Sequence, residues 1–242
     1  MSVPPARIYT LPLFPLNHVM FPQFLLQLQI FEERYLAMIG GCIDRNEPFG
    51  VVLIEEGEEV GAPAVPHAIG CVVQIQNVEH LDDGRMRLVA AANGRFRILD
   101  YMEGDLPYLV GRVEDVEDLP ETRIGLEEQV AELTTLFRRY LGLLADRARM
   151  HQPDLELPSD PSLLSFCVAY IIQVPLIAHQ NLLESTDARQ RISDELDYLR
   201  EHVVTLETER AELEAEMLRA TTYIPLEPED ERWKAYGAES RN

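Results

Sequence analysis

Six histidines (His18, His67, His80, His151, His179 and His202), three cysteines (Cys42, Cys71 and Cys167) and a single lysine, Lys234, are the side chains whose types could do catalytic or metal chemistry. A histidine metal site needs ligands at fixed helix or loop spacing, and the sequence has no HExxH and no HxH. No metal is expected. The cysteines lie 29 and 96 positions apart, which suits neither a disulfide framework nor a CxxC pair and fits a reducing cytoplasm. No GxSxG surrounds any serine, and Ser159, Ser162, Ser165, Ser185 and Ser193 fall near helix starts or within helices, where capping or packing explains them. Lys234 is followed by Ala235, so there is no Gly-Lys-Ser/Thr phosphate loop, and a Ser-Lys pair would have to recruit this near-terminal residue. The chain is therefore not expected to be an enzyme or to carry a cofactor; a peptidase or other hydrolase, the less favoured alternative, would need a Ser-His or Cys-His pair assembled from distant segments.

The remaining charged groups read as binding or structural. The run Glu55-Glu56-Gly57-Glu58-Glu59 lacks the alternating aspartates of a calcium loop and reads as a solvated loop. Arg34, Arg95 and Arg97 alternate with apolar residues, a pattern that favours structural pairing with carboxylates over client binding. Forty-two acidic residues against twenty arginines and one lysine give a formal net charge of −21, which repels a phosphate backbone. Nucleic acid is not an expected partner. The longest apolar stretch, Leu163 to Ala178, contains Gln173 and Pro175 and is too short to span a bilayer, so no membrane is expected either. The opening MSVPPARIYT has no apolar core of the signal-peptide kind, in keeping with a cytoplasmic location.

The elements that position these residues change period partway along the chain of 242 residues. Up to about Val116, short apolar runs between turn signals predict strands at 8–13, 24–30, 49–54, 70–78, 85–91, 95–101 and 108–116, with one helix over 31–45. Asp82-Asp83-Gly84 predicts a tight hairpin, whereas Asn93-Gly94 fits either a second turn or a bulge. After Leu119 the period becomes helical. A helix opening at Pro120 is predicted to carry Leu126, Val130, Leu133, Phe137, Tyr140 and Leu144 on one stripe to about Arg149. A capped apolar helix starts at Ser159 or Asp160 and ends before Pro175, and a short one covers 176–183. A cap at 185–187 then opens a rod of about 33 residues, roughly 50 Å long. Its stripe is Ile192, Leu196, Leu199, Val203, Leu206, Leu213 and Met217. This gives a β-rich unit at 1–118, a helical bundle at 119–220 and a flexible acidic tail at 221–242.

The segments Leu11-Pro12-Leu13-Phe14-Pro15-Leu16, Phe21-Pro22, Ile30-Phe31-Glu32-Glu33-Arg34-Tyr35, Phe49-Gly50-Val51-Val52-Leu53-Ile54, Ile69-Gly70 and Arg95-Phe96-Arg97-Ile98 resemble, in order and spacing, the Lon N-terminal (substrate-binding) domain in its stand-alone bacterial form. Two positions depart from that pattern: Gln23 stands where the family often has glycine, and Glu33 where stand-alone members often have proline. The resemblance implies an α+β fold, a twisted, partly closed, mainly antiparallel sheet followed by a helical bundle with one long C-terminal helix. It implies polypeptide binding without the ATPase and protease modules of full Lon.

Phe14, Met20, Phe21, Phe24 and Phe31 form the densest apolar aromatic cluster. Most belong to a core, but a loop holding Pro15 and Pro22 is expected to leave some of them at the surface. The candidate peptide contacts are Met20, Phe21, Phe24, Phe49 and Tyr108, for protein clients with unfolded or apolar segments. Leu213 and Met217 are the candidate contacts of a homodimer or of an oligomerising adaptor for a separate protease or chaperone.

Overall fold

The computed structural model describes residues 7–61, 64–102, 106–152 and 155–222; the tail expected at 221–242 lies outside them from residue 223 onward. Among these residues six strands are present: β1 (Ile8–Leu16), β2 (Leu25–Ile30), β3 (Phe49–Glu56), β4 (Val65–His80), β5 (Met86–Tyr101) and β6 (Val110–Val116). They form one sheet in the order β2-β5-β4-β3-β1-β6, and β5 also pairs with β6, which closes the sheet into a partial ring. Every pairing is antiparallel except β1 with β3, where β2 and helix α1 (Glu33–Arg45) supply the crossover that parallel neighbours require. The fold is thus α+β, as the sequence and the resemblance lead one to expect.

The hairpin at Asp82-Asp83-Gly84 forms, with Gly84 at φ 84°, a conformation open to glycine. Asn93-Gly94 is a bulge and not a second turn. Val72 faces Gly94 and Val73 faces Ala92, so Asn93 is skipped and the two runs expected as separate strands are one, bent at that point. The bend gives β5 two partners in succession: Met86–Ala91 pair with β2, and 95–101 pair with β6. Inside the ring Leu11, Leu13, Val52, Phe96 and Val113 form a small core of their own. Strands approach closely there, because a Cβ on Gly70 would stand 2.2 Å from the Val51 carbonyl oxygen and one on Gly50 would stand 2.6 Å from the Phe96 ring.

The helical half departs from expectation at its start. Pro120–Arg123 form one 3-10 turn, Gly125 reverses the chain at φ 67°, and α2 begins only at Glu127, running to Ala148. Pro120 thus opens a turn, not the helix, although the apolar stripe falls as predicted. Asp160 caps α3 (Pro161–Ile171) through the backbone N–H groups of Ser162 and Leu163, α4 spans Leu176–Glu184, and Asp187 receives the first free N–H groups of α5 (Ala188–Thr222). At 35 residues, α5 is about 52 Å long. The larger core runs without interruption from sheet to helices: Met38, Phe49 and Val73 share it with Leu133, Phe137, Leu164, Ile192 and Leu199. None of the described helices is long and apolar enough to cross a membrane.

A buried ionic cluster closes the seam between the two halves. Asp118, on the link after β6, accepts from Arg95 of β5 at 2.6 Å and from Arg191 of α5 at 2.6 and 3.0 Å. Ser162 of α3 donates to the same carboxylate. Arg95 also donates to the carbonyls of Leu183 and Ser185, and Arg191 to Ser185 and to the Ser165 hydroxyl. Both guanidinium groups lie over the Phe166 ring, 5.1 and 4.2 Å from its centroid. Arg95 is therefore a structural pairing residue, as its alternation with apolar neighbours suggests. Burial acts to raise the Asp118 carboxyl. The hydrogen bond and charge of Arg191, followed by Ser162 and Arg95, outweigh it and hold the group below the ordinary carboxylate range. Glu195 stands one turn along α5 and is fully buried. One oxygen accepts from Ser165 at 2.6 Å and the other has no hydrogen-bond partner, so burial drives this carboxyl well above its ordinary range against the pull of Ser165 and Arg191.

Two outcomes follow. Asp118→Asn keeps the side chain's shape but leaves two guanidinium groups buried without their carboxylate; it should cost about 3–5 kcal/mol in chemical denaturation at pH 7. A loss under about 1 kcal/mol would mean that solvent reaches the seam. Glu195→Gln tests the opposite case. A raised carboxyl pKa leaves stability intact below the unfolded value of about 4.3, and stability then falls as pH rises toward the folded pKa. The variant should therefore gain stability relative to the parent as pH is raised from 4 to 8 and match it near pH 4; parallel curves would contradict this.

Candidate functional site

β2 lies outside the closed ring. It pairs with β5 on one side, and among the described residues no strand pairs with its other side. Its sequence explains why it sits there. Leu26 and Ile30 are buried and Leu28 is half-buried, while Gln27 and Gln29 alternate with them and are exposed, as for a strand with one wet face. The Ala92 N–H donates to the Phe24 carbonyl at 2.9 Å, which fixes the phase of the ladder. By the alternation of antiparallel pairs, residues 26, 28 and 30 bond to β5, and the N–H and C=O groups of Leu25, Gln27 and Gln29 point outward.

A furrow of two compartments follows this open edge. The wider, about 420 Å³, is lined by Leu16, His18, Leu25, Gln27, Leu28 and Tyr170 among others; the narrower, about 70 Å³, reaches Ile30, Phe31, Tyr35 and Val60. Leu16, Leu28 and Glu59 line both compartments, and residues from both faces of β2 take part, as they must if the furrow runs along the edge. The rim is apolar and accessible, with Leu25 57% and Phe31 55% exposed. The floor is fixed by aromatic contacts. Phe24 stacks on Tyr170 at 3.8 Å, His18 meets the same ring edge-on, and Phe14 stacks on Tyr35 at 4.1 Å. Burial, then the neighbouring His179, push the His18 imidazole down against the pull of Glu59, so the ring is neutral at pH 7. Glu59 accepts a long 3.5 Å bond from the Asn17 N–H and has no ion-pair partner among the described residues. Glu32, by contrast, is bound by Arg34 at 3.0 Å and by the Gly61 N–H.

The expected peptide contacts separate on this geometry. Met20, Phe21 and Phe49 are core residues, 2%, 1% and 0% exposed, and cannot touch a client. The loop buries them because its backbone groups find partners after all: the Gln23 N–H donates to Ala92 at 2.8 Å, and the Met20 carbonyl accepts from the Cys71 thiol at 3.0 Å. Phe21 then packs on Phe166 and His179, and Phe49 opens a strand held on both sides. Gln23, where the family often has glycine, adopts φ 74°, the left-handed conformation that glycine takes without strain. Phe24 and Tyr108 are half-buried, and only Phe24 borders the furrow, through Tyr170. Leu25, Phe31 and Glu59, which border the furrow, lie outside the expected contacts. The legible signal was Leu25, an apolar residue on the glutamine face of β2.

No group of three metal-ligating side chains occurs among the described residues. Cys42, Cys71 and Cys167 are buried free thiols, and burial raises each, Cys42 to about 11. Leu213 and Met217, the expected oligomer contacts, lie on α5 past its last buried stripe residue, Leu206, and are 53% and 52% exposed. With Leu143 and Met150 they line a cleft of about 610 Å³ between the ends of α2 and α5.

The sequence profile of the ATP-dependent protease La (LON) substrate-binding domain matches residues 10–201. Lon protease of Syntrophus aciditrophicus is 26% identical over 190 residues, 76% of this chain and 24% of that protein. Lon protease 2 of Myxococcus xanthus is 27% identical over 192 residues, 78% of this chain and 23% of that protein. The chain thus spans about a quarter of the length of these curated relatives. Among solved structures, the Lon N-terminal domain protein from Xanthomonas campestris is 28% identical with a TM-score of 0.57, covering 78% of this chain and 98% of that one. The N-terminal domain of the Mycobacterium avium complex Lon protease has the same TM-score at 18% identity and shares the fold, covering 80% of this chain and all of that one. With the profile matched over most of its length, the chain belongs to the Lon substrate-binding domain family.

Proposed function

We propose that the chain is a non-catalytic polypeptide-binding module that engages unfolded or apolar protein segments, and that the furrow along β2 is where it does so. The observation that carries this reading is the accessible apolar rim, Leu25 and Phe31, over a preformed furrow. The family match supports it, because the matched domain is described as substrate-binding. A non-catalytic role is supported by the inert, buried thiols and by Ser162 and Ser165 being engaged with Asp118 and Glu195. The charge of −21 favours basic or neutral clients, and added salt should weaken the basic ones first.

The test is fluorescence anisotropy with a labelled client, reduced and carboxymethylated or folded. The denatured form should bind more tightly. The double variant Leu25→Ser, Phe31→Ser should weaken it about tenfold or more, since each site loses an apolar contact at an exposed position that the core does not need. Equal binding of folded and denatured client would overturn the reading.

A second reading, an oligomerising adaptor for a separate protease or chaperone, is favoured by Leu213 standing exposed beside Leu143 and Met150 at the end of α5. Sedimentation of the full chain should then show a dimer that truncation after Arg210 converts to monomer; a monomer in both cases would reject it.

A further inference from the structure

We infer that a client binds by strand addition: an extended segment pairs with the open edge of β2 as a further strand of the sheet, and a Lys or Arg side chain of that segment meets Glu59. This rests on the furrow being a polypeptide site and specifies how it recognises its occupant.

The edge itself selects the class of ligand. The outward N–H and C=O groups of Leu25, Gln27 and Gln29 alternate donor with acceptor at strand spacing, and only another extended backbone matches such a row along its length. Proteins usually blunt an exposed edge with lysines, proline or a covering loop. Leu25–Ile30 holds no lysine and no proline, and the residues bounding it are apolar. The furrow lies where the added strand's inward side chains would fall, against Leu16, Leu28 and Tyr170. Side chains of alternate client residues therefore enter it and the others stay in water.

Charge fixes the rest. Glu59 lines both compartments and has no cationic partner among the described residues. A basic side chain entering between Leu16 and Leu28 can lay its apolar stem on them and place its charge on Glu59. The same arithmetic argues against a second copy of this chain as occupant. Two surfaces of net charge −21 repel, and β2 offers only leucine, glutamine and isoleucine to its own twin, with nothing basic for Glu59.

The probe is a synthetic seven-residue peptide, acetylated and amidated, alternating threonine and valine with arginine replacing the central valine. Its binding to the full chain is read by anisotropy. N-methyl groups are placed either on the threonine amides or on the valine and arginine amides. In an antiparallel addition the threonine amides bond to β2, and in a parallel one the others do. Methylation of one set should abolish binding while the other set leaves it within about threefold, and Gln27→Pro, which removes an outward N–H and no bond to β5, should weaken the unmethylated peptide about tenfold. Replacing the arginine by glutamate should weaken binding, and Glu59→Gln should remove most of that discrimination. Equal effects of the two methyl sets, with the unmethylated peptide bound, would overturn strand addition and leave polypeptide binding standing. No binding of the peptide in any form while denatured clients bind would likewise overturn it, and no binding of either would remove the functional reading as well. A change in sedimentation on Gln27→Pro with peptide binding intact would assign the edge to a second copy and overturn the proposal.

Discussion

The two halves of this chain are held in register by one carboxylate shared between two arginines. Asp118 sits at the point where strand gives way to helix, and it receives Arg95 from the sheet and Arg191 from the long helix, with the α4 carbonyls and the α3 hydroxyls completing the shell. Buried charges of this kind cost heavily unless every donor and acceptor is placed, so the cluster tolerates essentially one arrangement of sheet against helices. The apolar core alone would not impose that precision, since apolar contacts are not directional. Between them the two guanidinium groups bond to Asp118 after β6, to Ser162 and Ser165 of α3 and to the Leu183 and Ser185 carbonyls at the end of α4, which is how a local ion pair acquires control over global geometry.

That geometry bears directly on the furrow. β5 is long enough to serve two partners because it bends at the Asn93 bulge, giving its first half to β2 and its second half to β6. The ring closes through β6, and among the described residues β2 is left with one paired edge. Tyr170 of α3 stacks on Phe24 beside β2, and among the described residues no strand pairs with the outer edge of β2. The same closure that gives the small barrel a filled interior thus leaves β2, among the described residues, with an unpaired edge. Stability and an open sheet edge arise from a single topological choice.

Much of the architecture was legible from residues alone because it is local. The alternation of Met86, Leu88 and Ala90, the Asp82-Asp83-Gly84 turn, the Asp160 and Asp187 caps and the stripe from Ile192 to Leu206 each depend on neighbours within a few positions. The start of α2 departs from expectation because Pro120 satisfies the rule for a first-turn proline equally well in a 3-10 turn. The loop's apolar side chains depart from expectation for a non-local reason: Met20 and Phe21 can be buried only because Ala92 and Cys71, some fifty to seventy positions away, satisfy the loop's backbone.

Composition and spacing by themselves determined that the chain lacks a phosphate loop, an HExxH metal motif and a disulfide framework, that it carries a large negative charge, and that strands precede helices. These are properties of residue identity and short-range order, which no fold can alter. Which aromatic residues face solvent, which arginine joins Asp118 across 73 positions and, among the described residues, which carboxylate lacks a cation and which strand keeps an open edge were decided only by the tertiary structure. Each of those depends on segments distant in sequence meeting in space, and burial, pairing and exposure have no value for a residue until that meeting has occurred.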